Sequence, residues 1–281
     1  MGYLPLDRAT ETDLSPKDTG VLSETHLAVI ACGSRSVDEL QRLRDLDGCL
    51  YEEWSLSVHT LPDLDALACP DKRRIFNSAE RALVLLVLSD SGDRRGREAA
   101  AWIREKAEAT RCDVIEVVDQ QIGKPFPTSF EGRVIHAPYS NARHGAAIVG
   151  GILEFIGRPG LICADYADFL QAQTEGGFAV GGFSESPEGL LAAIQPALKG
   201  VTRFLATGNL KGVVVAITGS SSVEIGDLSK IGKFLEQSLP EHLTLVLSLI
   251  VDFGLPEPAA RATFIGFGAT GPTGNAAIQA E

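Results

Sequence analysis

Apolar residues in this chain fall into short runs separated by glycine, proline and charged turns, and the spacing within each run predicts what it forms. His26 to Ala31 (HLAVIA), Ala82 to Leu88 (ALVLLVL) and Asp113 to Val118 (DVIEVV) are brief, nearly continuous apolar stretches. Such runs suit parallel strands covered on both faces. Val37 to Leu46 and Gly96 to Ala109 instead carry apolar residues at helical spacing. Tyr51 to Leu61 alternates weakly and predicts one or two edge strands, and Val134 to Ala137 predicts a further short one. The first half therefore reads β-α-β-β-α-β, a parallel-sheet α/β domain of Rossmann type.

The middle of the chain differs. In Arg143 to Phe169 the apolar positions Ile148, Ile152, Phe155 and Ile156 recur at helical spacing, and Ala146, Ala147 and Val149 widen the stripe toward all-round burial. Gly157 can end that helix and Pro159 forbids its continuation. An apolar triplet, Leu161 to Cys163, then leads to Asp165-Tyr166-Ala167-Asp168, which opens another helix. A nearly all-apolar helix in an acidic chain predicts a central spine with a domain on either side.

Beyond the spine, Phe178 to Phe183 is a Gly-rich strand, and Ser184 or Ser186 is placed to cap a helix from Pro187 to Thr202. Val213 to Thr218, Leu243 to Val251 and Ala262 to Phe267 predict strands, with a helix over Ile225 to Ser238. The expected division is a flexible arm over 1–24, a first domain over 25–140, a central helix over 141–160, a smaller α/β domain over 161–268 and a loose tail over 269–281.

Composition narrows the partners. A net charge of −12 argues against nucleic acid or an anionic membrane as primary partner. The five cysteines are scattered, with no C-x-x-C pair, which suits reduced thiols in a cytoplasmic protein and neither zinc nor a disulfide framework. No metal site is expected from the five histidines, which share no ligand spacing. No apolar run is long enough to span a membrane, and no signal peptide is visible.

Two loops are candidates for phosphate chemistry. Cys32-Gly33-Ser34 follows the first strand and reads either as a phosphate loop or as an ordinary βα turn. Ser89-Asp90-Ser91-Gly92-Asp93 follows the ALVLLVL strand. There Ser89, Ser91 and Gly92 offer donors near a helix N-terminus, while Asp90 and Asp93 repel phosphate unless Mg²⁺ intervenes.

Five motifs, in order between positions 120 and 268, resemble the FtsZ family of tubulin relatives. They are Gly123-Lys124-Pro125-Phe126 with Phe130-Glu131-Gly132; Arg158-Pro159-Gly160-Leu161 with Asp165-Tyr166-Ala167-Asp168; Gly177 to Gly181; Gly212 to Gly219; and Ala262 to Gly266. The resemblance implies subunits that stack head to tail, with GTP in the first domain. It also implies that two carboxylates after the central helix of the next subunit orient water against the γ-phosphate. Carried over by motif, these are Asp165 and Asp168. The same pair also makes a good helix start with no catalysis.

The chain departs from that pattern where phosphate should sit. Cys163 stands where the family has Asn, and the family's Gly-rich phosphate signature is replaced by Ser89 to Gly96. The Asn-Asp pair that reads guanine appears as Asn141-Ala142-Arg143. Losing several phosphate donors together, each worth about 1.5–3 kcal/mol when charge-assisted, predicts weak or absent GTP binding and no required cofactor. The nucleotide-facing set is then Gly33, Ser34, Ser89, Ser91, Gly92 and Asn141. The expected contact brings Arg94, Arg95 and Arg97 of one subunit to Cys163, Asp165 and Asp168 of the next. Three readings follow: a self-assembling filament protein without a GTP cycle, a GTPase with a remodelled loop and Mg²⁺, or a cap on an FtsZ filament. The family's C-terminal linker and partner-binding peptide is not visible after Gly268, so tethering to a membrane through it is not expected.

Overall fold

The computed structural model describes residues 25–33, 37–52, 54–61, 82–108, 112–122, 133–139, 143–173, 177–206 and 209–268. Its first half holds β1 (Thr25–Cys32), α1 (Val37–Asp45), β2 (Trp54–Leu61), β3 (Ala82–Asp90), α2 (Arg94–Glu108), β4 (Asp113–Gln121) and β5 (Val134–Tyr139). The central helix is α3 (Gly145–Gly157), followed by α4 (Tyr166–Gln173). The second half holds β6 (Phe178–Ser186), α5 (Leu190–Thr202), β7 (Leu210–Gly219), α6 (Ile225–Ser238), β8 (Thr244–Val251) and β9 (Ala260–Gly268). The predicted arm, the tail and the Gly123 to Gly132 motif lie outside the described residues.

The apolar runs are explained by burial on both sides. In β1, Leu27, Val29 and Ala31 join the core around α1 and α3, while Ala28, Ile30 and Cys32 join the core under α2. β3 divides likewise, Val84, Leu86 and Leu88 on one side and Leu85 and Val87 on the other. Strands buried on both faces have no polar face to alternate.

All the strands form one nine-stranded sheet in the order β2-β1-β3-β4-β5-β6-β9-β7-β8. β2 through β6 are mutually parallel; β9 enters antiparallel between β6 and β7, and β8 is parallel to β7. The halves meet along a short seam, where β5 and β6 pair only at Ile135 with Ala179 and His136 with Val180. Within the Tyr51 to Leu61 stretch there is a single edge strand, β2 over Trp54–Leu61, with a 3₁₀ turn over Asp47–Cys49 before it.

One helix start needs correction. Ser184 and Ser186 do not cap a helix at Pro187, because β6 runs on through them, pairing with Ala262 and Ala260 of β9. Ladder pairing keeps these serines extended, and α5 begins at Leu190, with Pro196 inside it. Ser186 Oγ accepts the Glu188 N–H in the intervening turn, 3.1 Å away.

α3 lies between the two halves. At its start, Gly145 rests against Leu88 and Asp119, at the carboxyl ends of β3 and β4; at its finish, Gly157 rests against Leu27 and Trp54, near the amino ends of β1 and β2. On its other side, Gly151 touches Thr263 of β9 and Glu154 meets Thr218 of β7. The molecule thus has two ends, separated by the length of α3, about 20 Å.

Candidate functional site

At the end where α3 begins, the loops after β1 and β3 come together. Gly33 has φ +81°, a left-handed conformation suited to glycine. A side chain there would also run into the Asp93 carboxylate. Asp93 Oδ1 accepts the Gly96 N–H at 3.1 Å, near the start of α2, where a negative group is favoured by the helix dipole. Asp90 Oδ1 accepts the Gly92 N–H at 2.7 Å, and its Oδ2 lies 2.7 Å from the Arg143 guanidinium. Burial works against the charge on Arg143, but Asp90, Tyr139 and Asp119 together outweigh it and hold the guanidinium above its ordinary pKa. Buried Asp119 accepts the Gly145 N–H at 2.8 Å, at the first residue of α3.

Backbone donors in these loops are largely engaged within the chain. The N–H of Gly33 goes to Leu61, that of Ser91 to Asp119, that of Asp93 to Asp90 and that of Arg97 to Asp93, all onto carbonyl oxygens at 2.9–3.1 Å. With Gly92 and Gly96 on carboxylates, six N–H groups of these loops and of the start of α2 already have acceptors within the chain. Ser91 Oγ and Gln120 Oε1 are buried polar atoms without a hydrogen-bond partner among the described residues.

The sequence-selected residues divide accordingly. Gly33, Ser91 and Gly92 do gather at this end. Ser89 lies fully buried within β3, where its hydroxyl donates to Glu116 at 2.6 Å, and Glu116 also meets Arg104 at 3.2 Å. Ser34 and Asn141 lie outside the described residues. Arg94, Arg95 and Arg97 are exposed at the start of α2, with Arg94 paired to Glu98.

Cys163, Asp165 and Asp168 lie at the opposite end, so within one molecule they do not meet the arginines. Asp165 Oδ1 accepts the Asp168 N–H and Asp168 Oδ2 accepts the Asp165 N–H, each at 3.0 Å. This reciprocal pair closes the start of α4, as a capping box does. The Cys163 thiol donates to the Gly160 carbonyl at 3.2 Å.

Behind that loop is a cluster that the sequence reading passed over. Glu154, 3% exposed, accepts from Arg158 at 3.0 Å, from Thr218 at 2.9 Å and from Arg261. Asp252 approaches the same two arginines, at 3.4 Å and 3.1 Å. Burial opposes the charge of Arg261, and Glu154 and Asp252 outweigh it, raising its pKa. The signal in the sequence was a lone carboxylate within the most apolar helix of the chain. Among the described residues, no three His, Cys, Asp or Glu side chains form a group able to hold a metal ion, and no helix is long and apolar enough to cross a membrane.

No family model matches the chain. Relatives do. The cell division protein FtsZ of Pseudomonas aeruginosa is 31% identical over 227 residues, 66% of this chain and 56% of that protein. The FtsZ of Coxiella burnetii is 33% identical over 110 residues, 37% of this chain and 28% of the relative. Among solved structures, an empty FtsZ dimer from M. jannaschii superposes with a TM-score of 0.64 at 15% identity, over 91% of this chain and 93% of that one. CetZ from Methanosaeta thermophila gives 0.59 at 12% identity, over 88% of each chain.

The chain is a divergent member of the tubulin/FtsZ superfamily. It spans little more than half the length of the Pseudomonas relative. The parallel sheet, the central helix and the smaller second half are the tubulin/FtsZ fold.

Proposed function

We propose that this FtsZ-like chain is a cytoskeletal protein that stacks head to tail into filaments without a GTP cycle. The observation that carries the proposal is the set of inward-turned donors at the start of α2. A triphosphate needs free N–H groups and a positive helix end. Here Asp93 and Asp90 take N–H groups themselves and bring two carboxylates to the place where phosphate charge would lie. The residues present do not fit a nucleotide phosphate as they stand. Glycine-rich backbone would have to replace both acids and free their donors.

Stacking is supported by the two ends and by the relatives. One solved neighbour is an FtsZ dimer. The arginines at the start of α2 and the acids at the start of α4 occupy opposite ends, the arrangement that a head-to-tail contact requires. Such a contact is heterologous and extends into an open filament unless it closes into a ring.

Sedimentation and electron microscopy of the pure protein test this. Pelleting filaments should form above a threshold concentration, with the same threshold with and without GTP and Mg²⁺. A threshold that falls only when GTP is added refutes the nucleotide-independent reading, and absence of pelleting at every protein and salt concentration refutes the filament.

A second reading, a GTPase with a remodelled loop, draws on Ser91 Oγ and Gln120 Oε1, the buried polar atoms left without partners. GTP turnover by the native protein that is lost in Asp168→Ala would support it. Equal background hydrolysis by both eliminates it.

A further inference from the structure

The two outer strands of the sheet, β2 and β8, differ in how their open edges are managed. On β2 the Leu56 N–H is taken by the Asp47 carboxylate at 2.6 Å, so an acid from the preceding 3₁₀ turn lies along that edge. β8 (TLVLSLIV) holds no charged residue and no proline, and it pairs with β7 over its full length without a register shift. Natural edge strands carry charges, prolines or bulges, because an unguarded edge is a template for another strand.

Two hydrogen bonds fix which backbone groups of β8 face outward. Leu249 donates its N–H to the Ile162 carbonyl at 3.1 Å, away from β7, while Asp252 donates to Gly219 of β7 at 2.8 Å. Backbone groups alternate between the two sides of a strand. Leu245 and Leu247 therefore turn their N–H and C=O groups outward with Leu249, and Val246 and Ser248 turn theirs toward β7. Ile162 covers the place opposite Leu249, and no described residue is paired opposite Leu245 or Leu247 on that side. The Leu245 side chain is 41% exposed and shares a sheet face with Leu247, which packs against the core under α5 and α6.

We infer that the amino-terminal half of β8 pairs antiparallel with the same strand of a second copy, centred on Leu245, so that two molecules share one continuous sheet. Leu245 of each copy then exchanges both of its backbone hydrogen bonds with the other, and the two side chains form an apolar cross-strand pair. Ile162 sets the register, because a centre nearer Leu249 would bring the copy's strand onto the place it occupies. Two observations select a copy as the occupant. Self-pairing brings identical side chains close together, which like charges would oppose, and this strand holds none although the chain has a net charge of −12. An edge without guards also needs an occupant wherever the chain is present, and another copy is always present with it. The contact is isologous and closes at two, and it does not depend on head-to-tail stacking, which leaves both ends open.

Sedimentation velocity on full-length native, Leu245→Lys, Leu247→Pro and Leu83→Lys proteins tests this, over a dilution series below any pelleting. The native protein should show a species of two-copy mass. Leu245→Lys sets two like charges face to face and should raise the dissociation constant about tenfold. Leu247→Pro removes an outward donor and no bond to β7, and it should weaken pairing in the same direction. Leu83, 46% exposed on β3, is the control. Leu83→Lys should keep the native dissociation constant within about twofold. Circular dichroism melts confirm that each variant is folded. Amide hydrogen exchange then locates the contact. The Leu245 and Leu247 amides should exchange at least about tenfold more slowly when the two-copy species is populated than on dilution. A native protein that stays monomeric over the whole series overturns the inference, as does a folded Leu245→Lys that pairs as readily as the native chain. A two-copy species in which both amides still exchange freely also overturns it, because the contact then lies on another surface.

Discussion

Asp93 does for α2 what a bound anion does at many helix starts. Its carboxylate accepts the Gly96 N–H and fills the space beside Gly33 that a side chain would otherwise need. Replacing Asp93 by Ala removes that cap and should lower stability by about 1 kcal/mol, read from the midpoint of a urea melt at constant slope. An unchanged midpoint would mean that the carboxylate is incidental to the loop. The sequence displayed Asp90 and Asp93 in place of the family's glycines, but not the direction in which they turn. Carboxylates pointing outward would have offered Mg²⁺ a site; pointing inward, they consume backbone donors. Ser89 shows the opposite case. Extending the ALVLLVL alternation by one residue already puts Ser89 on the α2 side with Leu85 and Val87, where it meets Glu116. Its burial was legible in the strand period, and its polarity drew attention to the loop instead.

The central helix carries adjacent glycines with different surroundings. At Gly151 an added methyl would run into the Thr263 side chain, so helix and strand β9 approach closely only because that position is glycine. At Gly150 the nearest atoms are those of Leu43 and Leu46, 3.7 Å away, which is ordinary contact. Gly150→Ala should therefore stabilise the protein by about 0.5–1 kcal/mol, through helix propensity and a less flexible unfolded chain. Gly151→Ala should destabilise it by about 1–3 kcal/mol through overpacking. Parallel thermal melts of both variants decide, and equal shifts of the same sign would contradict the packing argument. Hydrophobic spacing located nearly every element because the relevant faces are continuous in sequence. Strand order is another matter. β9 enters antiparallel between β6 and β7, a placement fixed by partners far away in the chain. The start of α5 was misjudged for the same reason, since pairing with β9 holds Ser184 and Ser186 in the sheet against their preference for capping.

At the scale of the whole molecule, the sheet is narrowest between β5 and β6, and His136 sits in that seam. It is 1% exposed, pairs in register with Val180 and stacks on Phe178 with ring centroids 5.0 Å apart. Across the sheet, the Glu154 cluster ties the finish of α3 to β7 and β9, so the halves are joined by a polar network at one place and by an apolar seam at another. Burial disfavours the imidazolium and pushes the His136 pKa down from 6.5 to about 4. The unfolded chain therefore binds a proton more readily than the folded one between those values. The stability held by neutral His136 is fully present above about pH 6.5 and is lost as pH falls toward 4. The depression corresponds to about 3 kcal/mol in all, of which about 2 kcal/mol should be gone by pH 5. His136→Phe keeps an aromatic ring against Phe178 and removes the titration. Urea melts of both proteins at pH 7 and pH 5 should show the native protein losing about 2 kcal/mol more than the variant. Equal losses would mean that the imidazole is hydrated or charged in the folded state, and that the seam between the two halves is open to water.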